Sequence, residues 1–289
     1  MRRRYRRGPL GALISCAIAA SLSIAGPAAA QQADSGSPQQ PAWGLRSVGN
    51  ECMLVGQLSP GDAYLAVEAI AGTDYYRFAV GGRELHESMS GALFPLTIIF
   101  QDAAARFDRR ASGAALPDGG GTMIRFDGVE ADVIQALGRA SALILERKGK
   151  AYGPYTFHEA DKAVAALQNC MNDRLTLWGA DPGQFEPGGA KPVAVRSRDD
   201  WVPNDTLLRL AYFIPRSGDM LAALMRVSVS EDGRVDGCAS LDGPTDATFE
   251  KMACAAVFAK QLFRPAHDPT GKAVRGAATF EIRLASRPR

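Results

Sequence analysis

Apolar and polar positions alternate with one period in the first half of the chain, and the change to another period divides the sequence into elements. From Trp43 onward short runs are either unbroken apolar or alternate with period two. Residues 43–48, 52–58, 64–70 and 75–80 each read as a strand, divided by Gly49-Asn50, Pro60-Gly61 and Gly72-Thr73. Leu93 to Gln101 is another β-rich run, and its Pro95 points to a sheet edge or a bulge. Residues 111–121 read as loop and residues 122–126 as strand. The period then changes. Val129 to Ala140 places Val133, Ile134 and Leu137 on one helical face, with Asp127 available as a cap. After strand-like 142–146 and 155–157, a second helix from about Glu159 to Leu177 carries Ala163, Leu167, Cys170 and Arg174 at helical spacing.

Residues 179–200 hold Pro182, Pro187, Pro192, several glycines and the charged run Arg196 to Asp200, which marks a connection. Beyond it Leu221 to Ser230 alternates, with Met225, Val227 and Val229 on one face, and Asp232-Gly233 supplies a hairpin turn that returns through Arg234-Val235. Asp246 can cap a helix running to about Lys260, whose Phe249, Met252, Ala253 and Ala256 share a face. In the last strand, about Arg275 to Ala285, Phe280, Ile282 and Leu284 alternate with Thr279, Glu281 and Arg283. The fold class expected is α+β: a β-rich domain with one or two helices over 43–179, a linker over 180–200 and a smaller unit over 201–286. No repeat of solenoid length is visible.

The ends change the picture. Residues 1–30 read as a secretory signal, with Arg2, Arg3, Arg4, Arg6 and Arg7 before an uncharged stretch and Ala28-Ala29-Ala30 as the cleavage site. A retained anchor facing the periplasm is the alternative, weakened by Gly8, Pro9, Gly26 and Pro27. Residues 31–42, rich in Gln, Ser, Gly and Pro, read as a flexible lead-in. The leader holds five of the 33 basic residues and none of the 31 acidic ones, leaving 28 against 31, so no basic footprint for nucleic acid remains. With Cys16 in the leader, Cys52, Cys170, Cys238 and Cys254 form an even set in an exported chain. Four cysteines allow three pairings. The one in which each half closes on itself joins Cys52 to Cys170 and Cys238 to Cys254.

In their order and spacing, Met225–Val229, Asp232-Gly233-Arg234-Val235, Phe249–Val257, Phe263-Arg264-Pro265-Ala266 and Gly271 to Leu284 resemble the C-terminal domain of TonB-type energy transducers. The resemblance covers about residues 200–286. It implies a three-stranded antiparallel sheet with a helix, set in the periplasm, that takes an extended peptide of an envelope partner such as a TonB-dependent receptor as an added strand. The positions implied for that contact are Thr279, Phe280, Glu281, Ile282 and Arg283. Strand addition is physically apt for a small sheet whose last strand has donors and acceptors to spare. Cys238 and Cys254 fall where some members carry a strand-to-helix pair; strict alternation from Val235 turns Cys238 away from the helix, and a bulge at Gly237 restores it. The chain departs from the transducers in lacking a long Pro-rich spacer, a leader histidine and a robust anchor. The binding mode therefore carries over, and the motor coupling does not.

Catalytic chemistry is poorly supplied. His86, His158 and His267 are scattered and have no visible second ligand, so neither a metal nor another cofactor is expected. Gly119-Gly120-Gly121-Thr122 lacks the lysine of a phosphate loop, and there is no nucleophile elbow. Glu130/Asp132 and Asp199/Asp200 read as a solvated helix start and linker. Trp43, Tyr64, Tyr75, Tyr76 and Phe78 read as core and cross-strand pairs before they read as a ligand groove. A binding protein rather than an enzyme is expected. The alternatives are an envelope enzyme with its site in the first domain, and a structural envelope protein whose sheet edge is already covered.

Overall fold

Nine antiparallel strands make the first half, and most owe their place to alternation. The computed structural model describes residues 43–85, 91–213, 220–243 and 246–285. The strands are β1 (Trp43–Val48), β2 (Glu51–Gln57), β3 (Tyr64–Ile70), β4 (Tyr75–Gly82), β5 (Gly91–Phe100), β6 (Ala105–Ala115), β7 (Thr122–Glu130), β8 (Ala142–Arg147) and β9 (Lys150–Thr156). Helix α1 (Ala131–Gly138) follows β7 and α2 (Ala160–Leu177) follows β9. The sheet order is β1-β2-β3-β4-β7-β6-β5-β8-β9. Leu54, Leu65, Val67, Phe78, Ile98, Ile124, Phe126 and Leu145 point to one face and are fully buried with Val133 and Leu137 of α1 and Leu167 of α2. The sheet curls back on itself: just past β2, Ser59 exchanges backbone hydrogen bonds with Thr156 at the end of β9 (3.0 and 2.6 Å). Cys52 of β2 is bonded to Cys170 of α2, which fixes the closing helix to the early strands.

Two expectations in this half are corrected. Most of the stretch read as loop over 111–121 is instead the far half of β6 and the turn after it. The strand was hidden because Arg106, Asp108 and Arg110 hold its solvent side while Arg109 also interrupts the apolar side, so the period-two signal is faint. Asp127 does not cap α1. It lies inside β7, bonded to Arg125, and the strand runs on to Glu130 because Val129 is fully buried there. Glu130 is the N-cap residue and makes no side-chain cap bond.

Residues 181–200 follow the body of the molecule closely. The short strand β10 (Val193–Ala194) leads to α3 (Asn204–Leu210), then β11 (Met220–Val229), β12 (Val235–Asp242) and α4 (Ala247–Ala255). The chain closes through β13 (Phe263–Arg264), β14 (Ala266–His267), β15 (Ala273–Val274) and β16 (Gly276–Ala285). β10 pairs with β13 and β14 with β15, while β12-β11-β16 form a three-stranded antiparallel sheet. Its apolar face, with Met225, Val227, Phe280 and Ile282, packs on Phe249 and Ala253 of α4. Trp201, fully buried, wedges against Phe263 and Phe280 at 5.0 and 5.6 Å. Asp246 caps α4 by accepting from the amides of Thr248 and Phe249. The helix stops at Ala255 rather than near Lys260, because the next turn is drawn onto β12: Val235 donates to the Lys260 carbonyl and Ala259 donates to that of Val235. Helix α3 was not expected from the sequence; Pro203 before Asn204-Asp205 was its only start signal.

The cysteines settle as Cys52–Cys170 and Cys238–Cys254. Between Val229↔Val235 and Ser228↔Gly237 the register of β12 slips, leaving Asp236 as the extra residue. That bulge turns Cys238 toward α4 and so answers the alternation problem. Among the described residues no helix is long and apolar enough to cross a membrane. The fold is α+β and mostly strand, with two hydrophobic cores.

The two bonds differ in the loop they close, 118 residues against 16. Chain entropy then assigns about 4.7 kcal/mol to a loop near 100 and about 3 kcal/mol to a short one. Paired Cys→Ala variants in urea unfolding should lose more stability for Cys52/Cys170 than for Cys238/Cys254; the reverse order would show that loop length is not what these bonds act on.

Candidate functional site

The border of β16 that faces away from β11 has a structure of its own. On one side the strand pairs with β11 without interruption, from Gly276↔Val229 to Ala285↔Met220. On the other side the Thr279 amide donates to the Gly72 carbonyl at 3.0 Å. Because successive residues of an antiparallel strand turn their N–H and C=O groups to opposite sides, this bond fixes Thr279, Glu281 and Arg283 as the outward-facing residues. Phe280 and Ile282 bond inward to β11, and their side chains are buried in the second core.

Thr279 is fully engaged. Its hydroxyl donates to the Ala71 carbonyl at 2.7 Å, and the Arg198 guanidinium donates both to the Thr279 carbonyl and, at 2.7 Å, to that of Gly72. Gly72 has φ +82°, and a Cβ there would stand 2.8–2.9 Å from the Thr279 hydroxyl, the Thr279 nitrogen and the Ala278 carbonyl carbon. Only glycine allows the β3–β4 turn to come this close. Beyond Thr279 the turn diverges, and the outward backbone groups of Glu281 and Arg283 have no partner among the described residues.

A cleft of about 360 Å³ opens there. The border of β16 forms its floor, Thr73–Tyr75 one wall, and Arg196–Asp199 the other. Glu281 accepts from the Tyr75 hydroxyl at 2.8 Å and from Arg283 at 2.6 Å. Burial would raise the Glu281 carboxyl, but these two hydrogen bonds outweigh it and hold it below its ordinary 4.5. Burial and the adjacent carboxylate push the Tyr75 phenol up to about 12, and the carboxylate raises Arg283. Arg198 is lowered by burial and partly relieved by Asp74, whose oxygen lies 3.5 Å from Nε. That distance is an ion pair without hydrogen-bond geometry, so Nε has no hydrogen-bond partner. Arg196 and Asp199 are exposed and form no ion pair among the described residues.

Of the five positions assigned to the peptide contact, Glu281 and Arg283 present both backbone and side chain to the cleft. Thr279 ends it, and Phe280 and Ile282 serve the core behind it. Tyr75 is the one aromatic of its group that reaches the cleft. Phe78 is core, Trp43 packs on Phe157 at 5.9 Å, and the Tyr64 ring lies over Gly81. His158 is exposed, His267 lies in β14, and His86 is outside the described residues. No cluster of three His, Cys, Asp or Glu suited to a metal exists among the described residues. Within the Gly119–Gly121 run, Gly121 serves packing: a Cβ there would meet the Gly82 carbonyl at 2.0 Å. Sequence reasoning treated Gly72 as a turn residue and Arg198 as linker charge, and nothing in their neighbourhood signals contacts with residues so distant in the chain.

Comparison with known protein families, with characterised proteins and with solved structures finds no match to this chain.

The Tyr75–Glu281–Arg283 cluster makes its stabilisation depend on pH. A lowered carboxyl contributes in full above its ordinary 4.5 and loses that contribution as pH falls through the lower folded value. A raised phenol contributes below 10 and loses it as pH climbs toward 12. Tyr75→Phe should cost about 1 kcal/mol at neutral pH, a hydrogen bond to a charge discounted for partial exposure. The difference from wild type should shrink at both extremes; a pH-independent difference in thermal unfolding would exclude the cluster as its source.

Proposed function

We propose that the protein is an exported component of the cell envelope that binds an extended segment of a partner protein by adding it as a strand to the outer border of β16. The observation that carries this reading is the pair of unpartnered outward backbone groups at Glu281 and Arg283 on the floor of the cleft. An extended segment laid there would exchange N–H···O bonds with both residues, and its side chains would alternate between the Tyr75 wall and the Arg196 wall. Both disulfides accord with an oxidising compartment such as the periplasm. The sequence resemblance supports an envelope partner of the TonB-dependent receptor kind. The structural alternative, a border covered by the first half of the chain, has support at Thr279, at Ala277, which is buried in the first core, and at the Glu281 side chain through Tyr75.

Backbone direction supplies the test. Proline at Ile282 would remove a bond to β11 and damage the fold, whereas proline at Arg283 removes an outward donor that β11 does not use. Peptides selected on the purified protein from a random phage library should bind Arg283→Ala within a few-fold of wild type and Arg283→Pro about tenfold more weakly, the loss of about one net hydrogen bond. They should also slow amide exchange at Glu281 and Arg283. Peptides that bind both variants alike and leave those amides unprotected would rule out strand addition at this border.

A further inference from the structure

We infer that Gly72 and Arg198 fix the register and length of the added strand, by occupying in advance the rung at Thr279 that the next partner residue would use. This rests on the strand-addition reading.

An added strand bonds to every second residue of the strand beside it, so a partner running along β16 would meet Arg283, then Glu281, then Thr279. The third rung is taken from both directions: the Gly72 carbonyl fills the donor and the Arg198 guanidinium fills the acceptor. Arg198 also holds the Gly72 carbonyl itself, so one buried side chain ties the turn to the border. Gly72 cannot be replaced by a bulkier residue without entering the Thr279 backbone. The turn is thus a short stand-in for a partner strand, and it stops a real one. A segment bound in the cleft must end, or bend away, after the residue that bonds Glu281. Sliding by one rung toward Thr279 is forbidden, which closes the register at that end. A bare sheet border, by contrast, accepts a partner in many registers.

The wall residues add no net charge at this closed end. Arg196 is an exposed cation and Asp199 an exposed anion on the same wall, neither in an ion pair among the described residues. With opposite charges so placed, the stop selects by backbone geometry and not by net charge.

The test has two arms. In the free protein, amide exchange should be slow at Thr279 and fast at Glu281 and Arg283; Arg198→Ala should speed exchange at Thr279 while Phe280, bonded to β11, stays protected. Equal protection of all three outward amides in wild type would overturn the inference without any ligand. For the second arm, a phage-selected peptide is lengthened by two residues at either end. On wild type, the extension that runs toward Thr279 should improve affinity by no more than about twofold, and on Arg198→Ala that same extension should improve it about tenfold, as a freed rung is worth about one to two net hydrogen bonds. Gly72→Val, which pushes the turn from the border, should give the same gain if circular dichroism shows it folded. Peptides that bind wild type and gain equally from extension in every protein would sink the stop while leaving strand addition standing. Failure of every selected peptide to protect Glu281 or Arg283 would remove the strand-addition reading, and the inference with it.

Discussion

A sheet border offers hydrogen-bonding groups that must be met by protein or by water, and the meeting at Thr279 decides how the two halves of this chain sit together. The amide, the carbonyl and the hydroxyl of one buried threonine are all met by the first half of the chain and by Arg198. A buried backbone group without a partner costs as much as a lost hydrogen bond, so the position of the β3–β4 turn against β16 is narrowly specified. Arg198 comes at a cost of its own, since its guanidinium is largely withdrawn from water. Its two carbonyl contacts and the ion pair with Asp74 are what make that withdrawal tolerable. The cleft follows from this one contact, because the turn touches the border at a single residue and then diverges from it.

The same contact explains why two cores behave as parts of one body. The first core lies inside the curled sheet and the second between the small sheet and α4, and β16 reaches both, with Ala277 buried in the first and Phe280 in the second. Polar contacts add to that joint: the Thr279 clasp, Tyr75 on Glu281, and Gln184, whose amide donates to the carbonyls of Asp181 and Arg275. Polar joints of this kind are strict about geometry and modest in strength. They suit a surface that holds a cleft at a fixed width.

Most of the elements were legible because alternation is a strong signal where one face is buried. Strands β1 to β4, helix α2 and the β11–β12 hairpin fall almost where period and turn chemistry put them. β6 was missed because its solvent face is dense with arginine, and α3 because seven residues show too little of a helical period. The bulge at Asp236–Gly237 could be inferred only through the cysteine it has to deliver. The cleft was half legible. The alternation of β16 gives its outward side chains, yet which backbone groups stay free depends on a turn some two hundred residues earlier. No local pattern around Gly72 or Arg198 carries that information, since a glycine in a turn and an arginine in a charged linker have ordinary uses everywhere.

An open border is also a hazard, and the way this one is left open bears on its use. Natural sheets protect edges with charge, brevity or cover. β16 has all three in part: Thr279 is covered, the free stretch is short, and Glu281 and Arg283 bring charge to it. Yet the two charges are spent on each other and on Tyr75, so they do not project across the cleft to repel an incoming strand. A border meant only to stay dry of partners would keep a lysine or a carboxylate facing outward. Here the charges are folded aside and the outward backbone groups of Glu281 and Arg283 have no partner among the described residues. On the strand-addition reading proposed above, that combination would exclude long, indiscriminate pairing while admitting one short segment, and it sets the affinity to be expected. A few backbone bonds and two walls suit a partner held reversibly, not a permanent subunit.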